Sequence, residues 1–359
     1  MSSLSIGIVG LPNVGKSTLF NALTNNNILA ANYPFATIEP NTGIVSIPDS
    51  RLQALSQLYN NAPIVPATVT FVDIAGLVAG ASQGEGLGNQ FLAHIRSTNA
   101  ICQVVRAFKD DNVIHVDNLA NPKKDIDVIN TELVLADLQT VQKRLPKIQK
   151  EARADAKLKP VLDSLERIQK LLDDGRPLFS VDDLNLEHIA DLQLLTAKPA
   201  IYLFNVDEAG LSDQAHQAEL AKLVAPAKAL FVCAKLEAEL SGLDAADQTE
   251  LLESYGQSES GLVQLIQAAY DSLKLQSYLT AGDKEVRAWT IPQGATAPQA
   301  AGVIHGDFER GFIAAEIVSC QHLLAAGSLA AARKAGQVRT EGKAYLMQPD
   351  DVVEFRFNV

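Results

Sequence analysis

No stretch of the 359-residue chain has the roughly 18 consecutive apolar residues that a membrane-spanning helix requires. Cysteine is scarce, and Cys102, Cys233 and Cys320 stand apart without a CxxC pair. Disulfide frameworks and cysteine-rich zinc sites need paired cysteines, so neither is expected, and isolated thiols suit a reducing cytosol. No charged residue precedes Lys16, so a basic secretory leader is not expected. These absences predict a cytoplasmic protein without a membrane partner.

Basic residues are outnumbered, because 30 lysines and arginines face 42 aspartates and glutamates, for a net charge of −12. Such a charge opposes general coating of nucleic acid, and no DNA-specific motif is present. The segment between Val141 and Arg176 departs from this balance, with ten basic against six acidic residues. A contact with RNA would use this segment, unless it is an ordinary solvated helical face. Its basic residues are Lys143, Arg144, Lys147, Lys150, Arg153, Lys157, Lys159, Arg167, Lys170 and Arg176, and Arg333, Lys334, Arg339 and Lys343 form a smaller cluster.

Short β-rich runs alternate with helical or loop segments near the amino terminus, and two more runs resume the pattern after a long helical stretch. Parallel strands of one sheet need crossovers of this kind. The pattern predicts an α/β fold with a doubly wound, mostly parallel sheet over residues 1–280. The predicted strands are Leu4–Gly10, Gly43–Ile47, Thr68–Asp73, Ile101–Arg106, Ala200–Asn205 and Leu230–Cys233.

The intervening helical stretch has its own apolar period, with steps that alternate between three and four residues. This spacing is that of a coiled-coil seam, so residues 125–185 are predicted to form an inserted helix–turn–helix arm. Pro146 interrupts the first run and is expected to kink it. The alternative is a helical pair that lies on its own sheet. The seam residues are Val134, Leu138, Val141, Leu145, Ile148, Leu158, Val161, Leu165, Ile168 and Leu172.

The last part of the chain has a different sequence pattern, in which predicted strands are separated by short alanine-rich helical segments. It predicts a small α+β domain over residues 281–359, with one helix-covered sheet. The predicted strands are Glu285–Ile291, Gly311–Val318 and Val352–Asn358, and the helices are Gln321–Ala326 and Ala330–Gly336.

A phosphate-binding motif follows the first predicted strand, where residues 10–17 read GLPNVGKS and fit G-x-x-x-x-G-K-[ST]. Glycines let backbone N–H groups turn around phosphates, and the helix that follows adds its dipole. Lys16 is expected to reach the β- and γ-phosphate oxygens, and the Ser17 hydroxyl to ligate Mg²⁺. The nucleotide contacts predicted here are Asn13, Val14, Gly15, Lys16, Ser17 and Thr18.

Further Mg²⁺ ligands are expected downstream, because magnesium prefers octahedral oxygen coordination and keeps several waters. Thr37 can supply a second hydroxyl. Asp73 ends an apolar strand, which is the position expected of a carboxylate that binds Mg²⁺ through a water molecule. Gly76 offers a bare N–H for the γ-phosphate. The glycine-rich residues 77–91 read as a switch segment that a ligand orders, since so much glycine holds no fixed shape alone.

Four motifs in this order, GLPNVGKST, ANYPFATIEPNTG, DIAGLVAGASQGEGLGNQF and FNVDE, resemble the YchF/Obg-like ATPase family of P-loop NTPases. The resemblance covers essentially the whole chain. It implies an Mg²⁺-dependent nucleotide switch that hydrolyses ATP and associates with ribosomes. It also implies that the arm is the coiled-coil insertion of this family, and that the tail is a TGS module with a β-grasp fold.

The stretch Asn205-Val206-Asp207-Glu208 stands where guanine-selective relatives have Asn-Lys-x-Asp. Val206 has no long stem to pack over the base, and Glu208 is one methylene too long to take both donors on the guanine edge. Adenine has only one donor on this edge, so the loss of an acceptor for two donors weakens mainly the binding of guanine. Asn205, Val206 and Glu208 are therefore predicted to bind the base, with ATP tighter than GTP. Cys233-Ala234-Lys235 falls where relatives carry a base-contacting loop.

The water-orienting glutamine of Ras-like enzymes should follow Gly76, but the residue there is Leu77, which cannot hydrogen-bond water. Two substitutes are present. Asn13 could present its carbonyl to K⁺ acting as an internal arginine finger, and His115 titrates near neutral pH. Slow hydrolysis is expected in either case. A small-molecule kinase and a nucleotide-bound scaffold with incidental hydrolysis are the alternative functions.

Overall fold

The computed structural model of the chain describes residues 4–25, 41–74, 87–108, 121–181, 184 and 186–358. The strands are β1 Ser5–Gly10, β2 Thr42–Ser46, β3 Ile64–Val65, β4 Thr68–Asp73, β5 Ala100–Arg106, β6 Ala200–Asn205, β7 Lys228–Val232, β8 Leu275–Ala281, β9 Val286–Pro292, β10 Phe312–Ser319, β11 Arg339–Glu341 and β12 Asp351–Phe357. The helices are α1 Lys16–Asn25, α2 Ser50–Leu58, α3 Leu87–Ser97, α4 Pro122–Ala152, α5 Lys159–Asp173, α6 Gln214–Lys222, α7 Ala234–Leu240, α8 Ala245–Ser254, α9 Gly261–Ser272, α10 Ala297–Ile304, α11 Gly306–Arg310, α12 Cys320–Ala326 and α13 Leu329–Lys334.

The chain divides into two units, of which the first comprises Met1–Val45 with Thr70–Ser272 and the second Ser46–Val69 with Leu273–Val359. The second unit therefore begins earlier than the predicted boundary at residue 280, which falls inside β8. It also takes in residues 46–69, which the sequence pattern had assigned to the nucleotide-binding domain. The reason is packing, since Leu52 and Leu55 of α2 are buried in one cluster with Leu279 of β8.

The first unit is built on a sheet with strand order β2-β4-β1-β5-β6-β7. Strand β1 pairs in parallel with β4 and β5, and β5, β6 and β7 continue in parallel. All six predicted strands of this sheet are confirmed. The chain runs from β1 to β4 on one side and to β5 on the other, so β1 marks a topological switch point. Ligands bind outside the carboxyl ends of strands at such a point.

The helical arm of the first unit consists of α4 and α5, which pack against each other along the predicted seam. Val141, Leu145 and Ile148 of α4 are buried in one cluster with Leu165 and Ile168 of α5. Helix α4 continues through Pro146 to Ala152, so the proline does not end the helix. Pro146 is exposed, and a carbonyl that loses its partner there can bond to water.

A buried carboxylate anchors this arm to the segment that leads into β6. Asp137 of α4 is 1% exposed and accepts hydrogen bonds from the N–H groups of Leu195 and Thr196, at 2.8 and 2.7 Å. The Thr196 hydroxyl donates a third bond, at 2.7 Å. Burial raises the pKa of Asp137, and the bonds from Thr196 and Leu195 oppose that shift. The base of the arm thus extends to residue 197, beyond the predicted end at 185.

The second unit has a mixed sheet with strand order β11-β10-β12-β8-β9-β3. Strand β12 lies parallel to β8 and antiparallel to β10, and β8 and β9 form an antiparallel pair. One face of the sheet is covered by residues of α2, α12 and α13, and the other by residues of α10. This is the small α+β domain that the sequence predicts, enlarged by β8 and residues 46–69. Across the described ranges, no helix combines the length and apolar character that a bilayer crossing demands.

The Asp137 anchor predicts a stability loss. Replacing Asp137 with alanine leaves two buried N–H groups without their acceptor, so we expect Asp137→Ala to lower the free energy of unfolding by about 3 kcal/mol. Urea denaturation followed by circular dichroism measures this. The matched control is Asp163→Ala on the exposed face of α5, which should change stability by less than about 0.5 kcal/mol. Equal losses in both variants would contradict the anchor.

Candidate nucleotide-binding site

A cleft of about 1230 Å³ opens at the carboxyl edge of the first unit's sheet. It brings together the loop after β1, the end of β4, the segment after β6 and the start of α7. Among the predicted site residues, Asn13, Gly15, Lys16, Ser17, Thr18, Asp73, Asn205, Val206 and Glu208 line it. Val14 is buried within the loop. Thr37, Gly76 and His115 lie outside the described residues.

The phosphate loop has a backbone that few residues other than glycine tolerate. Gly15 has φ of 90° and Asn13 has φ of 64°, a left-handed conformation in which asparagine is several-fold enriched. A Cβ atom on Gly10 would lie 3.0 Å from the carbonyl oxygen of Val104, and one on Gly15 would overlap the Asn205 amide. Helix α1 then begins at Lys16, so its free N–H groups face the loop and favour an anion.

Lys16 and Asp73 form an ion pair inside the cleft, in which the Lys16 ammonium donates to the Asp73 carboxylate. Ser17 lines the same space. A hydroxyl and a carboxylate are the hard oxygen ligands that Mg²⁺ takes from proteins, and the ion completes its shell with phosphate and water. The residues present therefore fit a magnesium ion beside the phosphates.

Asn205 connects two loops of the site. Its Nδ2 donates to the carbonyl of Val14 at 2.9 Å, and its Oδ1 accepts from the N–H of Ala234 at 3.0 Å. The residue is 3% exposed. The sequence predicts Asn205 as a base contact, whereas both of its polar atoms bond to protein in the structure. It therefore positions the phosphate loop against the start of α7.

The base end of the cleft is formed by the rest of this stretch and by α7. Val206 is 2% exposed, and the Asp207 carboxylate accepts the N–H of Gly210 at 2.9 Å. Glu208 accepts a hydrogen bond from the Lys235 ammonium at 2.8 Å. Cys233 also lines the cleft, and burial raises the pKa of its thiol, which keeps it protonated.

Sequence reasoning missed Phe108 and Asp207 as residues of this cleft. Phe108 follows β5, and the Arg106 guanidinium lies 4.5 Å from the centre of its ring. Each of these two residues lies two positions after the end of a predicted parallel strand. Because the carboxyl ends of such strands meet at one edge, that position was the available signal.

Two family models match separate parts of the chain. Residues 5–136 match a family model described as 50S ribosome-binding GTPase, and residues 275–358 match YchF-GTPase_C, described as a protein of unknown function. The ribosome-binding ATPase YchF of Bacillus subtilis is 49% identical over an alignment of 365 positions, which covers 99% of this chain and 100% of that protein. The chain belongs to the YchF family. The Pasteurella multocida YchF is also 49% identical, over 98% of this chain and 99% of its own length.

Solved structures agree with membership of the YchF family. The Schizosaccharomyces pombe YchF GTPase has a TM-score of 0.87 at 38% identity, covering 99% of this chain and 98% of that chain. A GTP-binding protein from Pyrococcus horikoshii has a TM-score of 0.61 at 19% identity, covering 99% of this chain and 100% of that one, and shows the fold alone. The P-loop fold with an inserted arm and a C-terminal domain is therefore confirmed for this YchF-family chain.

The phosphate loop of this YchF-family member predicts a sharp difference between two glycines. Gly15→Ala should weaken ADP binding about tenfold or more, because the new Cβ displaces the loop from Asn205. The control is Gly175→Ala, where φ is 72° but no atom lies within 4 Å of the new Cβ. It carries similar backbone strain and should keep wild-type affinity. Fluorescence titration with labelled ADP measures both, and equal affinity in the two variants would refute the steric argument.

Proposed function

We propose that the chain is an Mg²⁺-dependent nucleoside triphosphate hydrolase that prefers ATP to GTP and works as a switch on the ribosome. The observation that carries the proposal is a single cleft that joins Lys16, Ser17 and Asp73 to an altered base-reading stretch, Asn205–Glu208. The names of the relatives, ribosome-binding ATPases, support the same reading. Ribosome association places the protein in the cytoplasm.

The phosphate loop binds the triphosphate through backbone N–H groups between Gly10 and Ser17. Lys16 exchanges its bond with Asp73 for the β- and γ-phosphate oxygens. Ser17 would hold Mg²⁺ directly, Asp73 would hold it through water, and Thr37 would supply a second hydroxyl. When bound, Mg²⁺ neutralises negative charge on the phosphate oxygens.

The base preference follows from the two departures in the Asn205–Glu208 stretch. Val206 is buried in the first unit's core and has no stem to lay over the base. Glu208 is displaced by one methylene from the position of the aspartate that reads guanine. A polar group left unpaired in a site discriminates strongly, and guanine has one more donor to satisfy than adenine.

Hydrolysis proceeds without a Ras-type glutamine, since Leu77 stands at that position. Asn13, which lines the cleft, would present its carbonyl to K⁺. His115 is the candidate general base, and Gly76 binds the γ-phosphate through its N–H. With no finger arginine evident from the sequence, turnover is slow.

The arm supplies the ribosome-facing surface. Helix α4 has 31 residues and is therefore about 45 Å long. Lys143, Lys147 and Lys150 lie on its exposed faces, away from the buried seam. Their positive charge opposes the chain's net charge of −12, so phosphate contacts concentrate on this surface.

Nucleotide preference and switching are tested together. We expect ATP to bind about tenfold more tightly than GTP, K⁺ to stimulate turnover, and ribosome pelleting to depend on ATP. Calorimetry, phosphate release and co-sedimentation measure these with ATP and GTP side by side, with and without ribosomes. GTP binding tenfold more tightly would overturn the base preference. Pelleting that ignores the nucleotide would instead support a scaffold with incidental hydrolysis.

Charge reversal of the arm tests the partner surface. Changing Lys143, Lys147 and Lys150 to glutamate should weaken ribosome binding. The slope of log affinity against log salt concentration should become shallower by about three, because each phosphate contact adds about one to that slope. Three exposed lysines elsewhere, Lys222→Glu, Lys228→Glu and Lys284→Glu, carry the same charge change as a control. If the control loses as much affinity, or the arm variant loses none, the arm is not the contact.

A further inference from the structure

Lys235 stands at an electrostatically unfavourable position. It is the second residue of α7, and the partial positive charge at a helix amino terminus repels a cation there. Two carboxylates offset this repulsion, since the Lys235 ammonium donates to Glu208 Oε1 at 2.8 Å and is also attracted by Glu239. All three side chains line the nucleotide cleft. The two carboxylates thus keep the Lys235 ammonium in the cleft despite the positive end of the α7 dipole.

The other polar side chains of the stretch 205–208 already have protein partners. Asn205 uses both its amide atoms, on Val14 and Ala234, and Asp207 accepts the N–H of Gly210. Glu208 is 41% exposed and faces solvent in the cleft, as does Lys235, which is 71% exposed. Of the polar side chains in residues 205–208, the Glu208 carboxylate is therefore the one that faces a bound base, and the Lys235 ammonium lies beside it.

We propose that Lys235 determines base specificity by occupying one oxygen of Glu208, so that the carboxylate no longer accepts two N–H groups from guanine. The inference rests on the proposed nucleotide function of this cleft. Guanine presents two donors side by side, N1–H and the N2 amino group, and a free carboxylate accepts both. With the Lys235 ammonium on Oε1, Oε2 accepts one of them, and the cation repels the other N–H from the occupied oxygen.

Adenine matches the occupied pair. Its N6 amino group needs one acceptor, which Oε2 supplies, and its N1 accepts from the ammonium, which has three N–H donors. The extra methylene of Glu208 shifts the carboxylate from the place where an aspartate would meet guanine, and the Lys235 ammonium occupies one of its oxygens. The two features weaken guanine binding separately and in the same direction. Lys235 is thus a specificity residue and not part of the phosphate chemistry.

The test compares ADP and GDP, which bind without turnover, by titration calorimetry. Lys235→Met keeps the stem length and removes the ammonium. We expect GDP affinity to rise about tenfold while ADP affinity stays equal or falls, so that the ADP-to-GDP ratio drops at least tenfold. Lys235→Arg retains a cation that donates to Glu208, and it should keep most of the wild-type ratio.

Two further variants locate the effect. Lys228→Met removes an exposed lysine of β7 that does not line the cleft, and its ratio should equal that of the wild type. In the double variant Lys235→Met with Glu208→Gln, the amide has one oxygen to accept with, so the gain for GDP should disappear. A gain that persists there, or an unchanged ratio in Lys235→Met, overturns the inference. The wild-type ratio by itself tests the proposed preference for ATP, so the two can fail separately.

Discussion

The side-chain amide of Asn205 is the contact on which the nucleotide cleft depends. It donates to the loop at Val14 and accepts from the helix start at Ala234, so it joins the phosphate end of the site to the base end. An ionised aspartate could only accept here and a lysine could only donate, whereas a short amide does both. Gly15 packs so closely on this amide that no Cβ fits between them. The end of β6 thereby sets the spacing between the two halves of the cleft.

This spacing separates the task of Asn205 from the base preference that we propose for its neighbours. The structural task of Asn205 is independent of which base is bound, because both of its polar atoms are turned toward protein. The neighbours Val206 and Glu208 have no such task in the loop, so changes there leave the phosphate loop intact. Phosphate binding and base reading are therefore separable properties of one short stretch.

The sequence predicts the phosphate loop well because its signal is contiguous, with strand, glycines, Lys16 and helix following one another. It predicts the strands of the first sheet for the same reason. The role of Asn205 and the pairing of Lys235 with Glu208 depend on which loops meet at the sheet edge, and no local pattern records that. The second unit is harder still, because Leu52 and Leu279 share a core although more than two hundred residues separate them. Its strand β8 has the sequence LQSYLTA, in which polar residues interrupt the apolar pattern of a strand, although β8 pairs with a neighbour on each side.

At the opposite edge of the first sheet, one short segment contacts both α3 and the arm. Helix α3 comes after β4 in the chain and ends at Ser97. The Lys198 ammonium caps its last turn by donating to the carbonyls of Ile95 and Arg96, at 2.9 and 2.8 Å. Burial lowers the pKa of Lys198 to about 8, while three carbonyl acceptors favour its charged form. Two residues earlier, Thr196 is bonded to Asp137 of the arm. One short segment, residues 196–198, therefore bonds both to the end of α3 and to α4. Within the first unit, the helix that follows β4 and the arm that carries the basic surface are thus attached to the same stretch of chain.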